Sequence, residues 1–286
     1  MAPAPETNDA GWRTFRPESV PELLSTLTQL STADTAVYRG SPRQYRPVTA
    51  ALDRTFDWAN YKTTDGEPIA PEVLEAALLR RFQQIYEPTA LPHELPKLHT
   101  ALGIMSIMQH YGAPTRFLDW TESIWIASYF ACREEPSLAG EVFAVSRAAT
   151  EKAMPKLADI CRKKCRDVTI VDWGRHLQDY SLSSSPAVFF VEPLLHFDRT
   201  LAQLGVFSMA TLIGADHMQL LGQILSKDQK SFAKIEILPN LKRELLTYLY
   251  AMNVRASRLF PGREGLGREQ AEVVKHRLGS LAWNED

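Results

Sequence analysis

The 286-residue sequence predicts an α+β fold, with a mixed or antiparallel β-sheet core and helices around it. Two observations carry that expectation. Apolar residues recur at helical spacing in several stretches, and short β-branched or aromatic runs fall between them. The two kinds of segment do not alternate as a doubly wound parallel sheet requires. No internal repeat of fixed period is visible, which sets aside solenoids and propellers. No linker divides the chain, so residues 1–286 read as a single domain, with 149–180 as a basic insert.

The elements follow in chain order. Residues 19–31 place Val20, Leu23, Leu24, Leu27 and Leu30 on one helical face, and 35–38 read as a strand that ends at Arg39-Gly40. Residues 41–70, rich in Pro, Thr, Asp and Arg, read as irregular. After Pro71, a helix over 72–86 turns Val73, Leu74, Ala77, Leu78, Phe82 and Ile85 inward. A second, over 96–110, uses Leu98, Leu102, Met105 and Met108 and stops at Gly112.

Residues 113–121 read as a turn or short extended piece leading into a helix over 122–133. Asp119 and Thr121 are its N-cap candidates, and Glu122 lies three after Asp119, as in a capping box. Ile124, Ala127 and Phe130 form its inner face. Strands are read at 141–146, 187–192, 207–213 and 232–238, and helices over 241–252 and 268–277. Residues 149–167 read as a basic helix or insert, whose Lys152, Lys156, Arg162, Lys163, Lys164 and Arg166 form a solvated face rather than a phosphate-binding surface.

Hydrophobic residues make up 45% of the chain and charged ones 23%, with a formal charge of −2, so any basic binding surface must be local. No apolar run approaches the roughly 18 residues of a membrane span. Residues 1–8 lack the basic and apolar regions of a secretory signal, and the expected setting is cytoplasmic. Three cysteines, Cys132, Cys161 and Cys165, argue against a disulfide framework and read as small buried thiols.

Three constellations could carry chemistry. In Val37-Tyr38-Arg39-Gly40 a guanidinium stands at the end of an apolar strand, where its planar fork suits phosphate or carboxylate; a structural ion pair is the competing reading. The run Gln109-His110-Tyr111-Gly112-Ala113-Pro114-Thr115-Arg116-Phe117-Leu118-Asp119-Trp120-Thr121 gathers many donors, acceptors and aromatic surfaces in one helix connection. Its structural alternative has Asp119 as a helix cap, Arg116 as its partner and Trp120 in the core. In the third, Gln203 and Gly205 precede a strand, so an amide could face a cleft there. There is no P-loop, dinucleotide fingerprint, HExxH or nucleophile elbow, and no acidic cluster accompanies His99 and His110.

These residues resemble the FRG-domain family, named for an aromatic-Arg-Gly motif. The likeness runs through Tyr38-Arg39-Gly40, Gln109 to Thr121, Ala127 to Ala131 and the strand after Gly140. Arg199, Gln203, Gly205 and Phe207, and Phe260-Pro261-Gly262, extend it toward the C-terminus. The order of motifs is also similar to that of the ADP-ribosyltransferases. That likeness implies split sheets, NAD as co-substrate and a macromolecular acceptor, protein or nucleic acid. A bacterial toxin or antiphage effector fits the family's look.

Carried over, Arg39 would grip NAD phosphate or ribose, Thr121 would take the hydroxyl role, and Tyr129 or Phe130 would stack near nicotinamide. Gln203 would stand in the late catalytic position. Tyr38, Gly40, His110, Thr115, Arg116 and Trp120 would line the cofactor site. Asp119-Trp120 stands where that superfamily has a Ser-Thr run, and no Glu-x-Glu precedes a strand near residue 200. Asp119 is therefore the nearest carboxylate. The competing reading is a non-catalytic module for a phosphate-bearing ligand or nucleic acid, using Arg39, Arg43, Arg46 and Arg54.

Overall fold

In the computed structural model, which describes residues 6–7, 12–31, 35–56, 60–154, 186–195 and 197–278, the strand runs assemble into one eight-stranded sheet. Its strands are β1 (Glu6–Thr7), β2 (Arg13–Phe15), β3 (Ala36–Ser41), β4 (Phe117–Thr121), β5 (Gly140–Ser146), β6 (Val188–Val191), β7 (Gly205–Ala210) and β8 (Phe232–Ile237). Their order is β1-β2-β8-β5-β3-β4-β7-β6. Only β2 and β8 run parallel, so the sheet is mixed and mainly antiparallel, as the irregular alternation of strands and helices predicts.

The sheet is weakest at its middle. Strand β3 pairs with β5 along its whole length, from Ala36↔Ser146 to Ser41↔Glu141, and β4 pairs with β7 from Phe117↔Met209 to Thr121↔Gly205. Between β3 and β4 a single pair, Tyr38↔Thr121, holds the two halves together. Beyond it the strands part, and a cleft opens.

Side chains alternate across the sheet, which sorts the core into layers. Val37, Phe143, Val145, Leu118, Trp120, Val206 and Val188 face one side, where Trp12 and helix α8 (His217–Ile224) cover both halves. On the other side the halves are covered separately. Tyr38, Val142, Ala144 and Ile235 lie under α1 (Val20–Ser31), α5 (Ile124–Cys132) and α9 (Pro239–Ala251). Phe117, Phe207, Met209 and Phe189 lie under α3 (Pro71–Tyr86) and α4 (Ala101–His110). The gap between these two helical layers falls over the seam between β3 and β4.

Several sequence expectations need correction. Strand β3 does not end at Arg39-Gly40 but runs through them to Ser41. Gly40 serves close approach and makes no turn. A Cβ there would meet the Ala127 carbonyl group, with its carbon at 2.7 Å, and Ala131 N at 2.9 Å, so only glycine lets α5 lie on β3. Gly112, at φ 77°, does end its helix in the left-handed region.

Residues 41–70 contain a short helix, α2 (Ala51–Thr55). Leu78 and Phe82 of α3 pack against the core as expected, but its buried residues are Glu75 and Leu79, and Val73 and Ile85 are exposed, because buried Arg116 draws Glu75 inward. Neither Asp119 nor Thr121 caps α5. The Ser123 hydroxyl accepts from Ile126 N, while Asp119 and Thr121 belong to β4.

Among the described residues, α7 (Asp198–Ala202), α8 and α10 (Ala256–Leu259) stand where the sequence predicts no helix, whereas α6 (Arg147–Ala153) opens the stretch read as a basic helix or insert. Helix α11 (Arg263–His276) begins one turn earlier than expected. Cys161, Cys165, Ser183 to Ser185 and the basic residues Lys156 to Arg166 lie outside the described residues. Cys132 is a buried free thiol, its pKa pushed up to about 12 by burial.

Lys242 ties α9 to the rim of the cleft. It is 1% exposed, and its ammonium donates to the carbonyls of Pro42 (2.6 Å), Glu135 (2.9 Å) and Glu134 (3.3 Å). Its three N–H donors match these three carbonyl acceptors. Replacing Lys242 with Met is expected to lower stability by about 1–3 kcal/mol through loss of hydrogen bonds from a charged donor. The midpoint of urea unfolding measures it.

Candidate functional site

The cleft at the seam has a volume of about 230 Å³. Arg39, Asp119 and Thr121 come from the two parting strands, Phe130, Arg133 and Glu134 from the end of α5 and the residues after it, and Arg199 and Gln203 from α7 and its cap. The sequence motifs separated by 80 residues therefore meet here. Arg39 Nη1 donates to the Asp119 carbonyl at 2.6 Å, so the guanidinium bridges strands whose backbones do not pair at that point. Burial lowers the Arg39 pKa, against the pull of Asp119, and the neighbouring Arg54 lowers it further.

The central motif builds a relay that orients Asp119. Phe117 N donates to Thr115 Oγ1 (3.1 Å), Thr115 Oγ1 to Gln109 Oε1 (2.6 Å), and Gln109 Nε2 to Asp119 Oδ1 (2.9 Å). Fixing one carboxylate oxygen leaves Oδ2 without a hydrogen bond among the described residues. Thr115 thus acts behind the cleft rather than on its wall.

Tyr38, Gly40 and Trp120 line this cleft as well, while hydrogen bonds tie the polar ends of Tyr38 and Trp120 into the scaffold and Arg116 lies behind it. Tyr38 is 2% exposed and donates to the Leu30 carbonyl (2.7 Å). Trp120 Nε1 donates to Ser208 Oγ (2.8 Å), which in turn bonds His217 Nδ1 (2.9 Å). Burial, with Arg39 and Arg116 nearby, pushes the His217 pKa down to about 3. Arg116 is held by Glu75 through two hydrogen bonds, both side chains being buried.

Tyr129 turns away from the cleft and donates to Glu272 (2.6 Å), whose other oxygen accepts from Tyr250 (3.2 Å). Burial raises the Tyr129 pKa. Its neighbour Phe130 is the aromatic side chain of α5 that lines the cleft. The Thr121 hydroxyl donates to the Gln203 carbonyl (2.7 Å) and accepts from Ser123 N (3.1 Å). The Gln203 amide donates to the Leu259 carbonyl (3.0 Å).

His110 lines a second, larger cleft of about 810 Å³, with Tyr111, Phe197, Arg199, Phe260 and Glu264. Its ring stacks on Phe197 (3.8 Å between centroids), and Nδ1 is buried without a partner. Burial, then the charge of Arg199, lowers the His110 pKa. Arg199 lines both clefts.

Sequence reasoning did not assign Arg133, Glu134 or Phe197 to a site. A signal for Arg133 was present: it follows Phe130 by three residues, one helical turn, so both extend from the same side of α5.

The fold and cleft define an α+β protein whose sheet parts at an arginine-rich, carboxylate-bearing cleft. Residues 34–139 match the FRG domain family model, so the chain carries an FRG domain. That span supplies Arg39, Asp119, Thr121, Phe130, Arg133 and Glu134, while Arg199 and Gln203 come from beyond it. Neither a curated protein nor a solved structure matches the chain. Among the described residues, no helix is long and apolar enough to cross a membrane.

Proposed function

We propose that the chain is an NAD-consuming ADP-ribosyltransferase acting in the cytoplasm on a macromolecular acceptor, protein or nucleic acid. One observation carries this reading: Arg39, Arg133 and Arg199 line the same cleft as an oriented carboxylate, Asp119. Guanidinium groups suit the phosphates of a dinucleotide. Drug-sized ligands occupy pockets of roughly 300–1,000 Å³; the small cleft alone falls short of this, and its neighbour across Arg199, at about 810 Å³, lies within it.

In this reading Arg39 holds a phosphate or ribose, and Phe130 offers its ring to nicotinamide. The bond from the ribose anomeric carbon to nicotinamide breaks, and its electron pair leaves with neutral nicotinamide. Asp119 Oδ2 faces the positive charge that develops on the ribose. The acceptor's lone pair then bonds the anomeric carbon, and its proton passes to Asp119. Positioning and electrostatics supply the rate, with no covalent enzyme intermediate required.

Incubation with NAD and cell extract tests the proposal by nicotinamide release and acceptor labelling. Asp119→Asn is expected to cut nicotinamide release by about 10²–10⁴-fold, as for loss of a general base, with ADP-ribose binding retained. Absence of release and labelling, with Arg39→Ala indistinguishable from the parent, would sink the reading.

A second reading is a non-catalytic module for a phosphate-bearing ligand. It is favoured by the engagement of both the Thr121 hydroxyl and the Gln203 amide with backbone carbonyls. Arg46 and Arg54 are weaker support, since one pairs with Glu141 and the other with the Thr49 carbonyl. In that case binding persists without nicotinamide release and weakens as salt screens the arginines.

A further inference from the structure

Three guanidinium groups surround the ring of Phe260: Arg268 at 4.4 Å, Arg199 at 5.1 Å and Arg133 at 5.2 Å from its centroid. The ring's negative face attracts each of them, but the cations repel one another. Two are neutralised by carboxylates. Arg268 pairs with Glu264 (2.6 Å), and Arg133 with Glu272 (3.1 Å). Arg199 has neither a side-chain hydrogen bond nor an ion pair among the described residues, although its charge reaches Glu264. Arg199 lines both clefts.

The two clefts have different chemistry. The smaller one holds Asp119 and Arg39. The larger one combines aromatic surface, from the stacked pair Phe197 and His110, from Phe260 and from Tyr111, which is 59% exposed, with the carboxylates of Glu94, Asp198 and Glu264. An exposed aromatic face beside an unpaired cation suits a flat heterocycle linked to a phosphate.

From this we infer that Arg199 binds the diphosphate of a two-headed nucleotide lying across both clefts, with its ribosyl end at Asp119 and its adenine against Tyr111 and Phe197. This rests on the reading that the smaller cleft takes the ribosyl half of a dinucleotide. It adds a binding residue outside the FRG match and an assignment for the second cleft.

Calorimetric titration with ADP-ribose, AMP and inorganic pyrophosphate tests it on the parent chain, Arg199→Ala and Tyr111→Ala. The parent should bind ADP-ribose at least about tenfold more tightly than AMP, since only the former reaches both clefts. Arg199→Ala should weaken ADP-ribose and pyrophosphate by about 10–100-fold, the loss of charge-assisted hydrogen bonds. Its melting temperature should not change, because the side chain is exposed and unpaired. Tyr111→Ala should weaken ADP-ribose and AMP and leave pyrophosphate unchanged.

Unchanged ADP-ribose affinity in Arg199→Ala, or no ADP-ribose binding by the parent, overturns the inference. Nicotinamide release separates the two ideas. Release with an indifferent Arg199 leaves the transferase and removes this assignment. Arg199-dependent binding without release does the reverse.

Discussion

Arg116→Ala is expected to lower the unfolding free energy by about 3–5 kcal/mol, because it strands a buried carboxylate. The Arg116 and Glu75 side chains are 2% and 3% exposed, and the guanidinium meets both carboxylate oxygens, Nε to Oε1 at 2.6 Å. The pair fastens α3 to the start of β4, and Arg116 Nη1 reaches the Ala210 carbonyl at 3.5 Å. Against a typical stability of about 5–15 kcal/mol the loss is large. The double variant Glu75→Leu with Arg116→Met should recover most of it, since apolar replacement of a whole buried pair is often neutral or stabilising. Urea unfolding of the three chains measures this. A fall in ADP-ribose affinity without a fall in stability would instead make Arg116 a ligand contact.

Gly40→Ala should cost stability at the upper end of the roughly 1–3 kcal/mol seen for overpacking, because the added carbon meets backbone and has no side chain to displace. Helix α5 would have to lift from β3. Since α5 carries Phe130 and leads into Arg133, the cleft should open as it lifts. Leu249→Ala is the control: it cuts the same core, where Leu249 is fully buried, but does not touch the seam. At matched loss of stability, Gly40→Ala should weaken ADP-ribose binding and Leu249→Ala should not. Equal binding in the two variants would separate the helix position from the cleft.

Much of the site was legible in the sequence, for a reason that the relay through Gln109, Thr115 and Asp119 makes plain. These residues sit within one connection, so local spacing alone brings them together. Polar density did not distinguish wall from support. Arg116 carries the same chemistry as Arg39, yet it is locked to Glu75 behind the cleft, while Trp120 lines the cleft with its indole N–H tied to Ser208. Periodicity placed Leu78 and Phe82 of α3 against the core but left Glu75 out, because it assigns Glu to water. Glu75 is buried only because its partner, 41 residues away, is buried with it.

By itself the sequence determined the periodic elements. Strands β5 to β8 and helices α1, α4, α5 and α9 follow from the spacing of apolar side chains and their stop signals. It also placed Arg39, Asp119, Thr121 and Gln203 together as candidates, and all four line one cleft. The tertiary structure alone decided that β3 and β4 meet through one pair and then part. It also decided that Arg133 and Arg199 stand beside Arg39 and that Arg199 links a second cleft. The physical reason is range. Helical and strand periods are set between near neighbours in the chain, whereas the pairing of charges and the splitting of a sheet depend on residues that only the folded chain brings into contact.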